Sequence, residues 1–181
     1  MSRWVAALPL IVLAALAVLF AGYALHHNPR VVPDALVGKQ MPDIALASFD
    51  GGPEVRLRDA LKQGPILVNF FASWCGPCAV EQPTLMALKA QGARIIGINY
   101  EDVPPRGSPQ NAQAFLSKLG DPFAQRLTDP DGRAGIEFGL TGVPETYLVA
   151  PDGRVLTKHT GPLTPDDAAK LAAQMRGAER R

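Results

Sequence analysis

The run Ile66-Leu67-Val68-Asn69-Phe70-Phe71 is almost continuously apolar and of strand length, and it passes directly into Ala72-Ser73-Trp74-Cys75-Gly76-Pro77-Cys78. An apolar run without alternation is expected of a strand covered on both faces, so it belongs at the centre of its sheet. Beyond Cys78 the pattern is helical to about Gln91, with Pro83 inside it. A central strand that feeds a helix through a short loop is the unit of α/β architecture. That loop carries the two cysteines of the chain, three positions apart. A multi-bridge framework of the small secreted kind is therefore ruled out, and whatever the pair does is local.

The remaining pattern extends the same plan. Pro42 to Ala47 and Val55 to Leu57 read as short strands joined by the turn signal Asp50-Gly51-Gly52, a β-extension ahead of the central strand. Arg94 to Tyr100 is a second buried-type strand, Gln110 to Leu119 a helical insert, Phe123 to Leu127 a short strand and Ala134 to Phe138 a short helix. Thr146 to Ala150 and Val155 to His159 are strands on either side of Asp152-Gly153, and a helix opens at Thr164 or Pro165 and runs to Met175 with Asp166 and Asp167 in its first turn. The expected fold is α/β, with a mixed central sheet flanked by helices, over residues 38–177.

The N-terminal region sets the compartment. Trp4 to Leu25 carries no charge, and about 20 apolar residues suffice to cross a hydrocarbon core, so residues 1–25 are expected to be a transmembrane anchor. Arg3 ahead of it favours a cytoplasmic N-terminus, with everything after His26 on the far side of the membrane. A cleaved signal peptide is the other reading, with Gly22 and Ala24 as its small residues. Residues 26–37, interrupted by Pro29 and Pro33, read as a spacer. The 18 basic and 17 acidic residues give a net charge of +1 without like-charge runs, which excludes a phosphate-tracking surface and hence nucleic acid.

A thiol attacks as its thiolate, and a free cysteine near pKa 8.5 is mostly protonated at neutral pH. Cys75 at the start of a helix would gain anion stabilisation from unpaired N–H groups and the helix dipole. Cys78, one turn on, can release a mixed disulfide by attacking Cys75, and Gly76-Pro77 suits the tight entry. A zinc site is a poor alternative, since four ligands would have to come from two cysteines and His26, His27 and His159, two of which lie in the spacer. A copper-delivery module is the better binding alternative. A purely structural disulfide closing so short a loop would constrain the unfolded chain little. No metal and no cofactor is assigned.

Phe70 through Cys78 closely resembles the active-site stretch of thioredoxins, and Pro83 matches the proline that kinks their active-site helix. Gly142-Val143-Pro144 is similar to the loop in which that superfamily keeps a cis-proline facing the cysteines, so the resemblance implies that Val143 and Pro144 present backbone to an extended substrate, with Trp74 covering the pair and shaping docking. More narrowly, the apolar N-terminus, the β-extension, Gly97-Ile98-Asn99-Tyr100, the insert and Gly139 through Thr146 resemble the cytochrome c maturation thiol:disulfide interchange family called CcmG or DsbE, with ResA- and TlpA-type reductases as near relatives. That resemblance implies a redox-active Cys75–Cys78 disulfide. It also implies reduction of the haem-attachment cysteines of apocytochrome c or of its maturation partners, and recharging by a DsbD- or CcdA-type membrane electron donor. A general periplasmic reductase, an oxidant and a metallochaperone remain the alternatives.

Thioredoxins keep a buried aspartate six positions before the first cysteine, where this chain has Asn69. A neutral amide takes no proton. Glu81, on the face of the helix that carries Cys78, and Glu145, beside the expected cis-proline, are the two candidate acids for catalysis.

Overall fold

The computed structural model describes residues 3–26 and 36–180, and the chain divides into two compact units, one up to Pro33 and one from Asp34. The first contains helix α1 (Arg3–His26, 24 residues). Counting only residues whose side chains are described, no helix is long and apolar enough to cross a membrane. The span expected over Trp4 to Leu25 therefore rests on the sequence. Residues 27–35 of the expected spacer lie outside the described residues.

The second unit is a seven-stranded sheet in the order β2-β1-β5-β4-β3-β6-β7. Its strands are β1 (Ala45–Ser48), β2 (Val55–Arg56), β3 (Ile66–Phe71), β4 (Ile95–Tyr100), β5 (Gln125–Asp129), β6 (Glu145–Val149) and β7 (Val155–Thr160). Four helices join them: α2 (Gly76–Ala90), α3 (Pro109–Leu119), α4 (Arg133–Phe138) and α5 (Pro165–Glu179). β3 runs parallel to β4 and β4 to β5, while β6 lies antiparallel to β3 and β7 to β6, so the sheet is mixed.

Each face of this sheet buries its own core, because alternate side chains of a strand point to opposite sides. On one face Ile66, Val68, Phe70, Ile96, Ile98, Tyr147 and Val149 pack with Phe138 of α4. On the other, Leu67, Phe71, Ile95 and Leu148 pack beneath α2 and α5 with Leu85, Leu88, Leu171 and Met175, and this second core includes Cys75 and Cys78. Helix starts carry their own signals. Ser108 caps α3 by accepting the Asn111 N–H at 3.1 Å. Thr164 and Asp167 form a reciprocal capping box at α5.

Several boundaries differ from those expected. The first strand begins at Ala45 rather than Pro42, and Leu57–Gln63 is a 3-10 turn that tucks Leu57, Ala60 and Leu61 under the sheet. β5 starts at Gln125 because Phe123 is a plug in the loop before it, stacked on Phe71 at 4.8 Å between ring centroids. The same plug explains Gly97 in the middle of β4, where an added Cβ would lie 2.6 Å from the Phe123 ring. Gly97→Ala is thus expected to destabilise the domain by about 1–3 kcal/mol, the usual cost of overpacking, read as a lower denaturation midpoint with an unchanged slope.

Candidate active site

Cys75 is the N-cap of α2, in an extended conformation, with Pro77 in the first turn. Its Sγ accepts the Cys78 N–H at 3.0 Å, and the two sulfurs are joined in a disulfide. An N–H of the first turn aimed at Sγ is the donor a thiolate there would keep after reduction, in the positive field of the helix end. Facing it, the Val143 carbonyl oxygen lies 3.5 Å from Cys75 Sγ, and the Val143–Pro144 peptide is cis. Cys75 is 4% exposed and Cys78 1%, so in the oxidised form neither stands at an open mouth, and it is Cys75 that borders the Val143 backbone. Trp74 is the exposed neighbour. Its indole Nε1–H donates to the Glu101 carbonyl at 3.2 Å, and the Arg106 guanidinium lies over its ring at 5.4 Å.

Glu81 follows Cys78 by one turn of α2 and is fully buried. Its Oε1 accepts from Asn69 Nδ2 at 2.9 Å and its Oε2 from the Leu163 N–H at 3.1 Å. Burial raises the carboxyl from an ordinary 4.5 to about 7, against the opposing pull of those two hydrogen bonds. Asn69 also donates to the Thr146 hydroxyl at 3.0 Å, while its buried Oδ1 has no hydrogen-bond partner. The amide that replaces the thioredoxin aspartate therefore holds the carboxylate that sits near it.

Glu145 is equally buried but belongs to the other face of β6. Its Oε2 pairs with Lys158 Nζ at 3.0 Å and accepts the Tyr147 hydroxyl at 2.7 Å. Oε1 accepts the Thr141 N–H at 3.2 Å and the Thr141 hydroxyl. Lys158 Nζ also donates to the Gly139 carbonyl at 3.0 Å. Glu145 thus fastens the 139–141 loop from below, and the structure groups it with Lys158 and Tyr147 rather than with the cysteine pair. Lys158 was not legible in advance; a lone lysine in an edge strand gives no sign that its side chain is 5% exposed. Asp102 was missed as well. It is buried, and takes the Ser73 N–H and hydroxyl at 2.6 Å each and Asn99 Nδ2 at 2.9 Å. An acid just past the end of a central parallel strand, where sites on such sheets gather, is the signal that could have found it.

Among the described residues no cluster of His, Cys, Asp and Glu could hold a metal ion. The Redoxin family matches residues 36–175. The chain is 44% identical over 167 residues to the thiol:disulfide interchange protein HelX of Rhodobacter capsulatus, covering 90% of each. It is 38% identical to the thiol:disulfide interchange protein DsbE of Escherichia coli K12, over 91% of this chain and 89% of that one. A crystal structure from Chlorobium tepidum assigned to the DsbE type superposes with a TM-score of 0.64 at 30% identity, covering 78% of this chain and 96% of the other.

Proposed function

The chain belongs to the Redoxin family and is a thiol:disulfide oxidoreductase, and from that premise we propose that it works as the reductant of a cytochrome c assembly line. The observation that carries the reading is Cys75 Sγ at the N-terminus of α2, accepting the Cys78 N–H and bordered by the Val143 carbonyl. In the reduced protein the Cys75 thiolate attacks one sulfur of a substrate disulfide, forming a mixed disulfide and expelling the other substrate sulfur as a thiolate. Cys78 then gives its proton to Glu81 and attacks Cys75 Sγ. The pair closes to the disulfide present here, and the second substrate thiolate leaves and takes up a proton. Two electrons pass to the substrate, and an external dithiol donor of the DsbD or CcdA type restores the pair.

Val143 and Pro144 would hold an extended substrate segment alongside Cys75, and Trp74 would flank it. A burial-raised carboxyl near 7 is suited to exchanging a proton with Cys78 at neutral pH. Its charge, when present, disfavours nearby thiolates and keeps the pair electron-donating. The substrate class is apocytochrome c at its haem-attachment cysteines, or the proteins that handle it. The reading is supported by the 44% and 38% identical relatives and by the sequence from Gly139 to Thr146.

Residues 1–25 anchor the domain to the inner membrane in this proposal, with residues 38–177 in the periplasm. The support is the uncharged stretch Trp4 to Leu25, in a helix that at about 1.5 Å per residue is long enough for a core of about 30 Å. Carbonate extraction of membranes is expected to leave the chain in the pellet and a chain beginning at Val37 in the supernatant. A mature N-terminus near Leu25 overturns the anchor.

Deletion of the gene is expected to deplete covalently attached c-type haem by about tenfold or more, with partial recovery on adding a small thiol and little change in other secreted disulfides. Normal c-type haem together with misoxidised secreted proteins would point to a general reductase instead.

A further inference from the structure

We infer that the segment from Glu101 to Gly107, pinned by Asp102, is a clasp that fixes Trp74 beside Cys75 and so selects peptide disulfides over small ones. The inference rests on the proposed role of Cys75 as the attacking thiol. Asp102 is 3% exposed, and both its oxygens are spent on the loop ahead of Cys75: Oδ1 accepts the Ser73 hydroxyl, and Oδ2 accepts the Ser73 N–H and Asn99 Nδ2. Bonds from a backbone N–H and a side chain of one residue to a single carboxylate fix both the position and the orientation of that residue. The next residue is Trp74.

The other end of the clasp grips Trp74 itself. Glu101 is the one non-glycine residue with positive φ among those described, at 43°, and its carbonyl receives the indole Nε1–H at 3.2 Å. Arg106 pairs with the Glu101 carboxylate at 2.8 Å and lies over the indole ring at 5.4 Å. Gly107 closes the loop against the carboxylate: a Cβ there would overlap Asp102 Oδ1 and come within 3.0 Å of Ser73 Oγ. A glycine is needed at that position for space, not for its φ. The polar contacts of Cys75 Sγ are to the Cys78 N–H and the Val143 carbonyl, not to these groups. Asp102 is a positioning residue, acting through Ser73 on a wall of the docking surface.

The test uses the reduced full-length chain in detergent with two substrates. One is Ellman's reagent, too small to need the wall; the other is a peptide closed by a disulfide across a Cys-x-x-Cys-His segment. Asp102→Ala is expected to slow attack on the peptide about tenfold or more and to leave the small disulfide within about twofold, the scale of a lost charge-assisted hydrogen bond. Asp102→Asn keeps an oxygen toward the Ser73 N–H and offers its NH2 to the Ser73 hydroxyl. It should stay within about threefold of the parent on both substrates. Gly107→Ala should behave as Asp102→Ala does. In a Trp4→Phe background, which leaves Trp74 as the only indole, the emission of Asp102→Ala should shift to the red.

Should Asp102→Ala fail to fold, Arg106→Ala at the surface decides the matter by the same two rates and the same emission. The clasp is overturned if peptide and small disulfide slow together, if neither slows, or if Asp102→Asn is as impaired as Asp102→Ala, which would make the carboxylate a proton carrier. A parent chain that does not react with Ellman's reagent through Cys75 instead sinks the reading of Cys75, a result the Asp102 variants do not mimic.

Discussion

Cys78→Ser is expected to accumulate mixed disulfides with its substrate, whereas Cys75→Ser forms none and loses reductase turnover by several orders of magnitude. The asymmetry comes from position. Cys75 Sγ receives the N–H of the first helical turn and borders the Val143 backbone, while Cys78 is 1% exposed behind it and is placed to bond Cys75 Sγ. Removing Cys78 leaves the first attack intact and abolishes the release. Non-reducing gels of membranes from cells carrying each variant read the difference directly. Trapping by Cys75→Ser with none by Cys78→Ser reverses the assignment.

Glu81→Gln should slow release of the mixed disulfide by roughly 10²-fold or more, the contribution of a positioned general base. A base at this position would work as the carboxylate, so the release rate of the parent should rise with pH through about 7, and that inflection should vanish in the variant. Without the nearby negative charge the Cys75 thiol should ionise at lower pH, followed by thiolate absorbance. Stability gives an independent check. Because burial raises the Glu81 carboxyl from 4.5 to about 7, the folded chain holds a proton there that the unfolded chain releases. Glu81 therefore contributes full stability below about 4.5, and this is lost as pH climbs through about 7, on the order of 3 kcal/mol at about 1.4 kcal/mol per unit. Glu81→Gln should flatten that slope. If both release and stability keep their pH dependence in the variant, Glu81 is a core residue and no more.

What could be read from the chain alone was whatever repeats along it. The unbroken apolar run of β3 announced a doubly covered strand, and all six of its residues are buried. The Cys75 cap and the α5 start carry local capping chemistry, which depends on neighbours a few residues away, whereas the Pro144 loop is legible only through its resemblance to a known loop. What escaped depends on distant partners. Asp102 meets Ser73 across 29 positions, and Glu145 could be placed beside the proline from its number but not on a face of the sheet. Phe123 reads as part of a strand from sequence because an aromatic residue at a strand start and one plugging a loop look alike until Gly97 is seen opposite. Glu81 was singled out by its spacing from Cys78; that its carboxylate is held by Asn69 came only with the packing of β3 on α2.

β6 has a further consequence for how this protein can vary. Thr146 turns to the amide that holds Glu81, and its neighbour Glu145 turns the opposite way to Lys158 and the 139–141 loop. One strand therefore supports the buried Glu81 carboxyl, through Asn69, from one face and fastens the 139–141 loop from the other. Changes at Thr146 and at Glu145 thus reach different side-chain partners, Asn69 on one face and Lys158 on the other, although the two share one stretch of backbone. A substitution that disturbs the Asn69 bond and one that disturbs the Lys158 pair would be felt on opposite sides of the sheet.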